Sequence, residues 1–208
     1  MMAIDTFDTT HLLALAAALG WASGLRLYAV VFCTGLAGAL GWVPLPSGLQ
    51  LLQHPLVLGV AGLMLAVEFF ADKVPGLDSL WDALHTLLRI PAGAALAGAV
   101  FGGDQAAWAT AAALLGGTLA ATSHVAKATT RAAVNTSPEP FSNIALSLAG
   151  DALVPAMLWL AVAHPLWFGV ALVLFVLASV AVTLVLFKFL AALWRSLRGR
   201  WGSQPAAV

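Results

Sequence analysis

From Leu166 to Phe187 the chain carries no charged residue and is built of Leu, Val, Ala and Phe with little else. A helix needs roughly 20 such residues to cross about 30 Å of hydrocarbon, so this stretch alone is long enough to span a bilayer. Composition makes the point general. Of 208 residues, 62% are hydrophobic and 9% charged, whereas soluble domains carry about 25% charge. The mean hydropathy of +0.97 argues against a water-soluble globule, and low charge with high apolar content argues against disorder. Nine Lys and Arg are balanced by nine Asp and Glu, so the chain lacks the basic footprint of a nucleic-acid binder.

The expected fold is all-α: a polytopic transmembrane helix bundle forming a single integral membrane domain. Six spans are expected, at 10–42, 55–71, 78–101, 105–127, 143–163 and 165–194, followed by a basic tail at 195–208. Turn chemistry separates them, at Pro44, Pro46 and Gly48; Pro75 and Gly76; Gly102, Gly103 and Asp104; Pro138 and Pro140; and His164 and Pro165. Period-two alternation is missing, which disfavours a barrel. Placing both termini in the cytoplasm of an inner-membrane protein puts Lys73, Lys127, Arg131, Lys188, Arg195, Arg198 and Arg200 at the inner face and no Lys or Arg in the outer loops. Trp42, Trp108, Trp159 and Trp167 then sit near the outer interface, and Trp21, Trp81, Trp194 and Trp201 near the inner one. Asp5 and Asp8 stand where a secretory leader would be basic, so a cleaved signal peptide is not expected. Cys33 is the sole cysteine and reads as a packing residue.

The first span is too long, since 12–42 would make about 46 Å of straight helix. A break at Gly20, Ser23 and Gly24 is expected, with 11–20 interfacial or re-entrant. Arg26 would then lie about 8 Å inside the cytoplasmic boundary, within snorkelling reach.

Charge inside spans is costly and turns to the bundle interior or to water. Here it belongs to the cytoplasmic half. Asp78, Asp82, His85 and Arg89 fall at intervals of four, three and four on one face of the third span, opposite Leu77, Leu80, Trp81, Leu84 and Leu88. The stripe reads as a cap plus an ion ladder, or as metal ligands: Asp78, Asp82 and His85 from one face, with His124 or Glu68 arriving from another span. His124, Lys127, Arg131 and Asn135 form a basic counterpart on the fourth span, able to neutralise the acidic stripe or to flank an anionic or zwitterionic ligand. On the fifth, Asp151 shares a face with Asn143 and Ser147, and Pro155 frees the Asp151 carbonyl. That combination suits a cation or proton site, or an ion pair to Arg26 or Arg89. Pro91 similarly frees the Leu87 carbonyl in the third span.

Residues 22–28 (ASGLRLY), 68–82 (EFFADKVPGLDSLWD) and 123–143 (SHVAKATTRAAVNTSPEPFSN), with Asp151 following, resemble a bacterial membrane-protein family known as domain of unknown function four-one-two-six. The resemblance covers nearly the whole chain and implies a multi-span protein, with no established activity or catalytic residues. The hairpins of spans two to three and four to five share a layout, Asp72, Lys73 and Pro75 corresponding loosely to Lys127, Arg131 and Pro138, as in transporters with paired interrupted spans.

Three function classes follow. A transporter or channel for an ion or small polar solute would use a cytoplasm-facing vestibule lined by Arg26, Glu68, Asp72, Asp82, Arg89, Lys127, Arg131 and Asp151. A lipid head-group enzyme would use the D-x-x-x-D pair Asp78 and Asp82, although the rest of the CDP-alcohol phosphotransferase signature is missing at Asp72, Lys73 and Val74. A structural or partner-binding protein would lock its polar half as an ion-pair network. No serine or cysteine has the partners of a nucleophile. No cofactor is expected, with a divalent metal left open. The expected partners are the bilayer and a small ion, polar solute or lipid head group, and self-association into a homo-oligomer stays open.

Overall fold

A computed structural model describes residues 7–136 and 141–201, without the side chains of Asp104 and 197–201. The expected turn at Pro138 and Pro140, the leader residue Asp5, and the side chains of Arg198, Arg200 and Trp201 lie outside the described residues. Among those described there is helix and no strand. Six α-helices follow in order: α1 (Thr9–Ala39), α2 (Pro55–Ala71), α3 (Leu77–Ala99), α4 (Ala106–Val134), α5 (Phe141–Ala163) and α6 (Pro165–Trp201), with short 3-10 helices at Ser47–Gln53 and Gly103–Gln105. Local chemistry sets their ends. Asp8 accepts the His11 N–H at the start of α1, and the His54 ring accepts the Leu56 N–H ahead of α2, where Pro55 occupies the first turn. Gly76 and Gly102 adopt φ of 86° and 66°, which lets the chain turn sharply between helices.

α1 is two arms rather than one rod. Arg26, with φ −149° and ψ 85°, leaves the helical basin. Along residues 9–25, Gly20 meets the Gly116 backbone, the Ser123 hydroxyl donates to the Trp21 carbonyl at 2.6 Å, and Lys127 Nζ donates to the Leu25 carbonyl at 3.0 Å. Rising numbers meet rising numbers, so this arm runs parallel to α4. Residues 27–39 meet α2 in the opposite order, Gly35 against Leu58 and Phe32 against Gly62, with Arg26 paired to Asp72. Asp72, at the end of α2, also pairs with Lys127 and Arg131 near the end of α4, so α2 and α4 run the same way. The two arms therefore run in opposite senses, with Arg26 at the tip. Leu15 and Ala37, equally far from Arg26 on either arm, line one apolar cavity of about 540 Å³ together with Val43, Pro155 and Leu158.

This reversal corrects four expectations. The break lies at Arg26, not within Gly20 to Gly24, and those small residues instead admit close contact with α3 and α4: a Cβ on Gly20 or Gly24 would collide with the backbone of Gly116 or Ala120. Residues 11–20 are not interfacial, because Ala14 to Gly24 form the buried centre of the bundle. Trp21 is 2% exposed beside Phe175. Finally, the described ends of the chain, Thr9 and the last turns of α6, lie at opposite ends of the bundle. Thr9 lies at the end shared by the loop after α1 and the α5–α6 turn, whereas α6 leaves that end and runs past Lys127 and Arg131, with which its Ser179 and Val182 share a crevice.

α3 and α4 form an antiparallel pair whose register is legible residue by residue. Asn135 and Arg131 meet Asp78, His124 meets Thr86, Ala120 meets Gly93, and Gly116 meets Ala97. On α3 the buried face is Asp78, Asp82, His85 and Arg89, continuing into Gly93 and Ala97, whereas Leu84 and Leu87 are 62% and 82% exposed. The helix is polar inside and apolar outside, the arrangement a hydrocarbon solvent selects. It continues through Pro91, as α5 does through Pro155.

Among the described residues three stretches are long and apolar enough to cross a membrane by length and composition: Phe141–Ala163, Pro165–Ser196 and, taken across its break at Arg26, Thr9–Ala39. The pair Ser47–Gln53 and α2, bent by 69°, would make a fourth as one broken span.

Candidate functional site

At one end of the bundle five carboxylates (Glu68, Asp72, Asp78, Asp82 and Asp151) meet five cations (Arg26, Lys73, Arg89, Lys127 and Arg131), all linked by ion pairs. The cluster sums to zero charge, and its members come from the α1 tip, α2 and its following turn, α3, α4 and α5.

Asp72 is the first node. Its Oδ2 lies 2.9 Å from Arg26 Nη1, 3.0 Å from Lys127 Nζ and 3.1 Å from Arg131 Nη2. Asp82 is the second: its Oδ1 stands 2.7 Å from Arg89 Nη1 and 3.0 Å from Lys127 Nζ, and its Oδ2 lies 3.5 Å from Arg131 Nε. Glu68 Oε1 accepts from Arg89 Nη2 at 2.6 Å. Asp78 is fully committed: Oδ1 accepts from the Gly76 and Ser79 N–H groups and from Asn135, and Oδ2 accepts from Arg131 at 3.0 Å. The α1 break brings the Arg26 side chain across to α5, where Nη2 donates to the Ser147 hydroxyl and carbonyl and Nε lies 3.0 Å from Asp151 Oδ1. Asp151 completes the rim with Lys73 at 3.2 Å.

Burial separates core from rim. Glu68, Asp72, Asp78 and Arg89 are fully inaccessible and Arg26 nearly so, whereas the Lys73 and Asp151 side chains keep 19% exposure. Among the described residues, Glu68 Oε2, Asp72 Oδ1, Arg89 Nε and Asn143 Nδ2 find no hydrogen-bond partner. Buried charge held so incompletely costs free energy, and stability alone is a weak reason for it.

Two histidines complete the inner layer, each ring held by a hydroxyl on one side. His85 Nδ1 donates to the Trp81 carbonyl at 2.8 Å, and its Nε2 is hydrogen-bonded to the Tyr28 hydroxyl at 3.1 Å. Thr86 donates its hydroxyl hydrogen to the Asp82 carbonyl, so His124 Nε2 donates to Thr86 at 2.8 Å and Nδ1 is left facing Arg89 Nη1 at 3.4 Å.

All eight binding candidates, Arg26, Glu68, Asp72, Asp82, Arg89, Lys127, Arg131 and Asp151, fall in this lattice. The expected arrangement is a vestibule lining; here they pair with one another, and Arg26, Lys127 and Arg131 also line a crevice. Arg26 is not a snorkelling residue: it is 1% exposed and paired with Asp72 and Asp151. The metal candidates Asp78, Asp82, His85 and His124 do not converge, and among the described residues no three His, Cys, Asp or Glu side chains stand close enough to hold a metal ion. Guanidinium and ammonium groups already occupy the carboxylates. Sequence reasoning put Lys73 at the membrane surface and overlooked Tyr28 and Thr86. Tyr28 is the only tyrosine and lies two residues from Arg26, which is the signal that could have found it.

The fold and this lattice define a membrane-embedded helical protein with a paired ionic interior. Residues 13–185 match the family described as Domain of unknown function (DUF4126), and the chain belongs to that family. No curated protein and no solved structure matches it.

Proposed function

We propose that this is a multi-pass inner-membrane transporter for a small ion or polar solute, and that the ion-pair lattice is its closed gate at the cytoplasmic end. One observation carries the reading: α1 reverses inside the bundle and inserts a non-helical Arg26 into a lattice drawn from four other segments. Interrupted helices whose ends meet buried charge are the device by which transporters build a site they can open and close. A neutral lattice can re-pair in steps, because Asp72, Asp82 and Asp151 each hold more than one cation and can release one without stranding the rest. Asp151, partly exposed at the rim, is the natural first carboxylate to change partner.

The test is flux in reconstituted vesicles, with Asp151→Asn and Arg89→Ala compared with wild type across protons, Na⁺, K⁺, Cl⁻ and small polar solutes. We expect wild-type flux of at least one species and at least a tenfold change in Asp151→Asn. Well-folded wild-type protein that passes none of them would overturn the reading. The second reading, a structural protein locked by its ion pairs, is favoured by the exact charge balance, and it predicts loss of stability in both variants with no flux. The lipid-enzyme reading is weakened by Asp78, whose oxygens are already taken by Arg131, Asn135 and backbone N–H groups.

A further inference from the structure

On the side of the lattice away from α2 and α3, the helices α4, α5 and α6 part to leave a crevice of about 340 Å³. Its walls are apolar, with Leu146 and Leu153 from α5 and Phe175 and Val182 from α6. Three cations line it, Arg26, Lys127 and Arg131, and among the described residues no carboxylate does. The reason is geometric. Asp72, Asp78 and Asp82, which pair with these cations, belong to the α2–α3 side, and Asp151 on α5, which also holds Arg26, does not line the crevice, so the lining carries net positive charge. In low-dielectric surroundings that charge is weakly screened. Gly150 widens the approach: the nearest atom that a Cβ there would meet is Arg26 Nε, at an ordinary 3.5 Å. Thr130 and Ser179 add hydroxyls, and α6 is exposed along its apolar length.

We propose that this crevice holds one anionic phospholipid, its acyl chain against Leu153 and Phe175 and its phosphate drawn to Arg26, Lys127 and Arg131. The occupant follows from the two halves of the lining. A free anion has no use for the apolar walls, and an uncharged chain has none for three cations. The site is independent of transport, since a structural protein could carry it equally well.

Purified protein in a neutral detergent is titrated with phosphatidylglycerol, phosphatidylcholine and inorganic phosphate, with binding read by native mass spectrometry and by the unfolding midpoint. Phosphatidylglycerol is expected to bind at least tenfold more tightly than phosphatidylcholine and to raise the midpoint, with phosphate alone doing neither. Gly150→Leu and Ser179→Trp fill the crevice without removing a charge, and each is expected to abolish the preference. Equal binding of the two lipids would overturn the proposal. So would the same midpoint rise with inorganic phosphate, or a preference that survives in the variants. Should a variant fail to fold, the lipid comparison on wild type decides.

Discussion

Asp72 shows at the scale of one residue how the lattice can be strong and costly at once. One carboxylate oxygen serves Arg26, Lys127 and Arg131 while the other has no hydrogen-bond partner among the described residues. Replacing it by Asn keeps the shape and leaves three buried cations around a neutral group. Breaking a buried pair from one side costs about 3–5 kcal/mol, so Asp72→Asn is expected to lower the unfolding midpoint in detergent sharply. Asp151→Asn, at the partly exposed rim, should lose much less. Equal losses would mean that burial does not grade the lattice. Asp8 offers a contrast outside the membrane-crossing part of the chain. The His11 backbone N–H, and then its ring, hold the Asp8 carboxyl below the ordinary aspartate value. This cap is complete above that ordinary value and is lost as pH falls through the lowered one. A carboxyl-carbon NMR titration in micelles should therefore find its midpoint below that of a free aspartate. At this scale the sequence was informative. The four, three and four spacing on α3 and its basic counterpart on α4 identified the facing stripes, because charge in a bundle has few places to go. Which carboxylate each cation takes was not legible, since that depends on how the α1 tip enters.

At the scale of the helix, the same signals set the ends and hid the reversal. α2 begins at Pro55 and α6 at Pro165, α3 begins after Gly76, and α4 follows the Gly102 turn, because Pro and Gly act locally wherever they occur. The reversal at Arg26 uses neither residue. Leu25, Arg26 and Leu27 are ordinary helix formers, and the bend is imposed by partners on α2 and α5 that a local reading does not see. Gly20 and Gly24 drew attention for the wrong reason: their role is contact, not flexibility. A substitution pair separates the two roles. Gly24→Val drives a side chain into the Ala120 carbonyl and the Ser123 hydroxyl, so it should cost at least the roughly 1–3 kcal/mol of ordinary overpacking. Gly59→Ala, on the exposed face of α2 with nothing within 4 Å of the added methyl, should instead gain about 0.4–1 kcal/mol by restricting the unfolded chain. Thermal unfolding of the two variants checks both signs, and a tolerated Gly24→Val would mean that α1 and α4 do not pack this closely.

At the scale of the whole molecule, counting basic residues and following the chain give different topologies. Counting places every cation toward one face and both termini with them, on the premise that α1 crosses once. Following the contacts, the first arm of α1 descends beside α4 and the second climbs beside α2, so the chain has crossed the bundle twice before α2 begins. The basic residues keep their common end under either account. Lys73 and Asp151 form the rim there, and α6 carries Lys188 and Arg195 toward it. What changes is the N-terminal side, because Asp8 and Thr9 stand at the apolar end with the α5–α6 turn. If the basic end faces the cytoplasm, a green-fluorescent reporter after α6 should glow and one placed ahead of Thr9 should not. A phosphatase reporter should give the reverse pattern at the same two positions. Two fluorescent fusions would mean that residues 9–25 do not cross. The parallel contact of Gly20, Gly24 and Leu25 with α4 would then have to be abandoned, and with it the buried place of Arg26 on which the lattice depends.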